Sequence, residues 1–194
     1  MDKNFLNQIL GKSQELKASD IHITSGLSPY FRIRGDMTQI EDFPALSAKD
    51  VLSIVLSSMD KTVQEIFVKN LQADYAYTNS ETKVRYRVNA FKSHKGISAV
   101  FRQLSSKIPL LEDMGFPDVI SKIASLEKGL ILVCGPTGSG KSTTLATMID
   151  YINRNYNKHI LTLEDPIEYV YETKKSLVDQ REVGKSVKSF ADGL

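Results

Sequence analysis

The stretch Gly135-Pro136-Thr137-Gly138-Ser139-Gly140-Lys141-Ser142 decides how the second half of this chain is read. It satisfies G-x-x-x-x-G-K-[ST], a loop whose glycines let successive backbone N–H groups turn toward one anion. The flanking residues supply the context that the pattern needs. Leu130-Ile131-Leu132-Val133-Cys134 is a continuous apolar run, which reads as a parallel strand covered on both faces. Leu145, Met148, Ile149 and Ile152 recur at helical spacing and predict a helix over about 141–154. A helix beginning near Lys141 adds its first N–H groups and the positive end of its dipole to the same anion site. In that setting the Lys141 ammonium reaches the β- and γ-phosphates, and the Ser142 hydroxyl can ligate Mg2+. The bland alternative is a glycine-rich turn beside a surface lysine, and the strand–loop–helix context argues against it.

Downstream, a strand over about 159–163 runs into Glu164-Asp165-Pro166-Ile167-Glu168. If that strand lies parallel to 130–134, its carboxyl end opens onto the crevice of the phosphate loop. Carboxylates there can hold Mg2+-bound water or orient an attacking water. A solvated acidic turn before a proline fits the same spacing equally well. No acidic strand end of the Walker B kind follows residue 168, and 183–194 is rich in Lys and Ser.

Upstream the grammar differs. Pro117 opens a short helix that Gly129 closes, and residues 105–113, polar and containing Pro109, read as a linker. Before it, Phe5, Leu6, Ile9, Leu10 and Leu16 mark a helix, and 20–24 and 30–34 alternate as half-buried strands ahead of a Gly35-Asp36 turn. Ser47-x-x-Asp50 resembles a capping box ahead of Val51, Leu52, Val55 and Leu56, and a second helix follows Asp60. Strands are expected around 73–78, 83–91 and 97–104, which makes this half an α+β unit with an antiparallel sheet. With a turn at 93–96, Lys92 pairs with Ile97 and Arg87 falls opposite Arg102. Facing like charges weaken an antiparallel pair, and a phosphate between them would offset that. Two arginines splayed into solvent is the other reading.

The 194 residues make one large domain or two small ones at roughly 150 residues per domain. A hydrophobic share of 41% and a charged share of 25% exclude disordered and low-complexity classes. Lys and Arg number 25 against 23 Asp and Glu, too even a balance for a dedicated polyanion binder, so no nucleic-acid partner is expected. The single cysteine, Cys134, excludes an internal disulfide and a Cys-rich zinc site and reads as a small core residue. His22, His94 and His159 lack metal-ligand spacing. The first twenty residues contain no signal-peptide core, and no run of 18 apolar residues predicts a transmembrane segment, so the expected address is cytoplasmic.

These motifs resemble the secretion ATPase superfamily and, within it, the type IV pilus retraction ATPases. Ala18-Ser19-Asp20-Ile21-His22 resembles the "ASDLH" signature, and Gly26-Leu27-Ser28-Pro29 with Arg32 and Gly35 resembles the segment after it. Arg87-Val88-Asn89 and Phe101-Arg102 resemble the positions of the two inter-subunit arginines. The stretch from Gly135 to Thr144 matches the Walker A segment, 163–168 the Asp box, and Gln180-Arg181-Glu182-Val183 the segment following it. The resemblance implies a PAS-like N-terminal domain over 1–104, a linker over 105–113, and the first part of a RecA-like P-loop core over 114–194. The implied fold class is thus α+β followed by α/β.

The resemblance further implies a homohexameric, Mg2+-dependent ATPase that drives pilus retraction and twitching motility from the cytoplasmic side of the inner membrane, against a pilus platform protein. ATP would be bound by Gly135, Pro136, Thr137, Gly138, Ser139, Gly140, Lys141, Ser142 and Thr143, and Mg2+ by Ser142, Glu164 and Asp165. Glu164, Arg87 and Arg102 would be the catalytic groups. A start seventeen residues before the first signature favours retraction over pilus assembly or type II secretion ATPases, with a retraction-like accessory protein also open. The family pattern continues into a "GEMRD"-like Walker B strand and a His box, neither present in these 194 residues. The expectation is a chain that does not turn over ATP alone, with an unpaired sheet edge and uncovered apolar surface. A non-catalytic nucleotide-binding module is the competing class. A small-molecule kinase is disfavoured by the 134 residues before the loop, and an ABC-type ATPase by the lack of an LSGGQ-like signature.

Overall fold

The computed structural model describes residues 3–104, 107–136 and 138–193. The chain divides into two compact units, Met1–Leu104 and Ser105–Leu194.

In the first unit, α1 (Lys3–Glu15) leads into β1 (Asp20–Thr24), β2 (Tyr30–Ile33) and β3 (Asp36–Gln39). Helices α2 (Ala48–Ser57) and α3 (Lys61–Asn70) follow, then β4 (Gln72–Thr78), β5 (Arg85–Ser93) and β6 (Gly96–Gln103). The six strands form one antiparallel sheet in the order β3-β2-β1-β6-β5-β4. Alternation along the strands sends Ile21, Ile23, Phe31, Val88, Ala90 and Phe101 into a core shared with Leu6, Ile9 and Leu10 of α1 and Val51, Ile54 and Val55 of α2. Tyr86 and Phe101 meet edge-on at 6.4 Å between ring centroids inside it.

Local signals set the helix starts. Ser47 and Asp50 form the capping box of α2, with Asp serving where Glu or Gln is usual. The Asp60 carboxylate accepts the Val63 N–H at 2.9 Å and starts α3. The β5–β6 hairpin has the expected register: Lys92 pairs with Ile97 and Arg87 with Arg102. Strand β3 was not expected. All four of its residues are exposed, so no burial pattern announces it.

The second unit contains a 3-10 turn (Leu111–Met114), α4 (Val119–Ala124), α5 (Lys141–Asn155), β7 (His159–Glu164), β8 (Leu177–Glu182) and the short α6 (Phe190–Gly193). Leu111, Ala124 and Met148 form a small core with Phe116, Ile120 and Tyr151 packed against it. Leu111 therefore packs as part of the unit, within a segment whose sequence reads as linker. Helix α4 ends at Ala124, five residues short of Gly129.

Two expectations are overturned here. Residues 130–134 form no strand, and Leu130 and Leu132 are 83% and 74% exposed. Cys134 is exposed rather than buried in a core. A strand covered on both faces needs neighbours to pair with. Among the described residues β7 pairs only with β8, in parallel, from His159↔Leu177 to Glu164↔Glu182. The apolar run is left without secondary structure, and Leu161 and Leu177 are also exposed.

Candidate functional site

The phosphate loop is shaped by its glycines. Gly138 and Gly140 sit at φ 80° and 88°, the left-handed region that side-chain-bearing residues avoid. Gly140 is the N-cap of α5 and offers no side-chain acceptor to the first turn. The N–H groups opening α5 thus lack a cap, and the positive end of the helix dipole adds to their pull on an anion. The Lys141 ammonium folds back over this loop and donates to the Gly135 and Pro136 carbonyls at 2.9 and 2.8 Å. Thr137, an expected ATP contact, lies outside the described residues.

Beside the loop opens a cavity of about 420 Å³. Ser142 and Leu145 of α5, Glu164 and Asp165 at the end of β7, and Tyr169 and Tyr171 beyond it are among the residues that line it. The structure brings Ser142, Glu164 and Asp165 to one cavity without the expected strand at 130–134. The Glu164 Oε1 atom accepts from the Thr162 hydroxyl at 2.7 Å and from the Gln180 amide at 3.0 Å. The Thr143 and Tyr169 hydroxyls are 3.0 Å apart, which links the first turn of α5 to the β7–β8 loop. Burial, reinforced by the Glu164 charge, raises the Tyr171 phenol well above its ordinary value, so it stays protonated.

The loop is held from beneath. Asp150, 4% exposed, receives Arg154 Nε at 2.8 Å and Lys174 Nζ at 2.6 Å. Asn153 is fully buried; its amide donates to the Glu172 carbonyl at 2.7 Å and accepts the Lys174 N–H at 3.1 Å. These side chains fasten the β7–β8 loop onto α5.

The donor set suits a phosphate-borne Mg2+. That ion is usually held through one or two carboxylates together with phosphate oxygens, not in an all-protein cage. Ser142, Glu164 and Asp165 offer a hydroxyl and carboxylates to one cavity. Among the described residues no cluster of three or more His, Cys, Asp or Glu is placed to cage a metal by itself.

Arg87 and Arg102 belong to the first unit, where they face each other across β5 and β6. Neither depends on a shared phosphate for its placement. Arg87 donates from Nε and Nη2 to Asp74 at 3.2 and 2.9 Å. Arg102 donates from Nε to Asp20 Oδ1 at 2.7 Å, and Arg32 Nε lies 3.3 Å from Asp20 Oδ2. The Asp20 side chain is 5% exposed, whereas that of Arg102 is 62% exposed. Burial by itself would raise the Asp20 carboxyl, but hydrogen bonds from Arg102 and Ser19 and the charges of Arg102 and Arg32 hold it below the usual carboxylate value. The three histidines do not converge: His159 lies 2.7 Å from Asp179, His94 is exposed at the hairpin tip, and burial lowers the His22 ring toward its neutral form.

Sequence reasoning missed Asp20, Arg32, Tyr169 and Gln180 as members of these constellations. For Asp20 the signal was its register opposite both Arg32 and Arg102, which requires knowing that β1 lies between β2 and β6.

A glycine-shaped anion loop at a helix start, a lysine over it and a carboxylate-bearing strand end define a P-loop nucleotide-binding unit. The Type II/IV secretion system protein family matches residues 2–191, and the chain belongs to that family. PilT of Pseudomonas aeruginosa, named as a type IV pilus retraction ATPase, is 41% identical over 189 residues, covering 97% of this chain and 54% of that protein. A twitching motility protein of Neisseria gonorrhoeae is 44% identical over 185 residues, covering 92% of this chain and 49% of its own length. A crystal structure of the pilus retraction motor PilT with bound ADP superposes with a TM-score of 0.89 at 44% identity, covering 95% of this chain and 54% of that one. The chain thus spans about half the length of these relatives. Among the described residues no helix is long and apolar enough to cross a membrane.

Proposed function

We propose that these residues supply the P-loop nucleotide site and the preceding domain of a hexameric, Mg2+-dependent ATPase that retracts type IV pili and so drives twitching motility. The observation that carries this reading is identity of 41% and 44% to the two relatives over nearly the whole chain, across both units rather than in the phosphate loop alone. In this reading 1–104 is a PAS-like domain, 105–113 joins it to the core, and 114–194 is RecA-like. The protein works in the cytoplasm at the inner-membrane base of the pilus, against a platform protein and with no nucleic acid.

The amides of Gly138 to Thr143 and the Lys141 ammonium hold the phosphates of ATP. Gly135, Pro136 and Ser139 shape the loop, and Thr137 completes it. When bound, Mg2+ neutralises charge on the β- and γ-phosphates. Ser142 and Asp165 supply it with oxygen donors, and Glu164 either joins them or orients the attacking water. Arg87 and Arg102 of a neighbouring protomer stabilise charge that develops on the γ-phosphate.

The 194 residues alone bind ATP without turning it over, because they carry no acidic metal-organising strand of the Walker B kind. Calorimetric titration with MgATP tests the site. Saturable binding that Lys141→Ala weakens by about ten- to a hundredfold supports it, and an unchanged Lys141→Ala isotherm overturns it. Steady-state hydrolysis by this chain, lost in Lys141→Ala, would overturn the no-turnover reading. For the motor, the full-length gene carrying Lys141→Ala is expected to fail to restore twitching to a retraction-deficient strain that the unaltered gene rescues.

A further inference from the structure

Glu164 is held by an unusually complete set of contacts around one amide. Gln180, half-buried on β8, donates from Nε2 to Glu164 Oε1 at 3.0 Å and to the Tyr169 carbonyl at 2.8 Å. Its Oε1 accepts the Tyr171 N–H at 2.8 Å. The chemistry leaves one orientation for this amide. Turned over, its oxygen would face two acceptors and its NH2 group would face a donor, so all three bonds would be lost. Both amide hydrogens are thereby committed to fixed targets.

The consequence for Glu164 is geometric. Its Oε1 takes two donors, from Gln180 and from Thr162 at 2.7 Å. Among the described residues Oε2 makes no hydrogen bond, and it belongs to a side chain that lines the cavity beside Ser142. One oxygen is anchored and the other is presented. The same amide clamps the backbone on both sides of Val170, and Tyr169 places its hydroxyl 3.0 Å from that of Thr143, next to Ser142. A single β8 side chain thus ties the carboxylate and the first turn of α5 into one frame.

We propose that Gln180 is the positioning residue of this site: its amide fixes the rotamer of Glu164 and the β7–β8 loop so that Glu164 Oε2 is aimed at the Mg2+ accompanying a nucleotide bound at Ser142. This rests on the reading of Glu164 as the carboxylate of a nucleotide site. Gln180 touches neither nucleotide nor metal; it acts through Glu164. Groups that orient a metal-binding side chain typically change metal affinity by about tenfold or more when removed.

The test is ATP affinity of the 194-residue chain, measured by calorimetry with and without MgCl2, for the unaltered protein and for Glu164→Gln, Gln180→Met, Gln180→Ala and the Glu164→Gln/Gln180→Met double variant. Thermal midpoints are taken in parallel, and all titrations are run below the lowest. The expected result is that Gln180→Met and Gln180→Ala leave Mg2+-free affinity unchanged and reduce the Mg2+-dependent gain about tenfold, and that Gln180→Met adds no further loss once Glu164 is Gln. Equal losses with and without Mg2+, or an equal further loss in the Glu164→Gln background, would mean a merely structural role and overturn the proposal. A Glu164→Gln protein that keeps the full Mg2+ gain overturns the underlying reading of Glu164. Loss in Glu164→Gln with none in Gln180→Met or Gln180→Ala overturns the Gln180 proposal alone.

Discussion

Arg87 and Arg102 lie directly opposite each other across β5 and β6, and their charges are met by different aspartates, Asp74 on β4 and Asp20 on β1. The like-charge cost of the pair is therefore answered within the sheet. Asp20 carries the larger share, since it lies between Arg32 and Arg102 and is nearly buried. Replacing it with Ala removes a hydrogen bond from Arg102 and an ion pair with Arg32 and should destabilise the first unit by about 1–3 kcal/mol, toward the lower end because both arginines reach solvent. Urea denaturation at neutral pH measures this.

The same carboxylate sets a pH dependence. Its folded-state value lies below the ordinary one, so it contributes stability above the unfolded value near about 3.9, and that contribution is lost as pH falls through the lower folded value. The stability difference between the unaltered protein and Asp20→Asn should be full at neutral pH and shrink only in the acid range below the unfolded value. A difference that stays constant down to the acid limit would remove the linkage.

Arg102 presents most of its guanidinium to solvent while Asp20 holds Nε, a posture suited to contacting a charge outside its own unit. In the full-length protein Arg102→Ala should lower ATP turnover by about a thousandfold, in the range of trans-acting arginines. Circular dichroism should show an intact fold, with a thermal midpoint lowered modestly because the nearly buried Asp20 keeps only Arg32 and Ser19 as partners. Unaltered kinetics would remove the role.

Among the described residues the Lys141 ammonium bonds only the exposed Gly135 and Pro136 carbonyls. Lys141→Ala should therefore shift stability by less than about 0.5 kcal/mol. It should weaken ATP binding by about ten- to a hundredfold through lost hydrogen bonds to a charged group. Thermal shift with and without ATP separates the two effects.

Asn153 is a buried fastener. Its amide and backbone carbonyl hold Glu172, Lys174, Lys175 and Ser176 against α5. Asn153→Ala should cost about 1–3 kcal/mol by leaving the Glu172 carbonyl and the Lys174 N–H without their side-chain partner, while the backbone carbonyl keeps Lys175 and Ser176. Hydrogen exchange should quicken at the amide of Lys174 before it does in α5.

The sequence made legible what short-range chemistry determines. The caps at Ser47 and Asp60, the two-residue periodicity of β1, the hairpin register that sets Arg87 against Arg102, and the loop from Gly135 to Ser142 all follow from neighbouring residues. What depends on distant partners was not legible. The apolar run at 130–134 carries the composition of a buried strand, yet strand formation needs a neighbour that composition does not supply. Strand β8, Leu177–Glu182, is mostly polar and gains its place only by pairing with β7. Gln180 fell in a recognised segment but without a role, because its importance lies in three acceptors and donors brought from β7 and the loop after it.

Sheet order in the first unit also fixes a sequence of events during synthesis. Strands β1, β2 and β3 form one ribbon, β4 and β5 another, and β6 is the piece inserted between them. It is the last of the six to leave the ribosome, and its ladder reaches back 82 residues, from Arg102 to Asp20. Until Gly96–Gln103 has emerged, the nascent chain holds two ribbons, each with an inner edge of unpaired N–H and C=O groups. Joining so remote a pair is slow by the loop-closure argument. Joining the two ribbons thus waits on β6, and substitutions in β6 should act more strongly on the yield of folded protein than on the stability of what has folded.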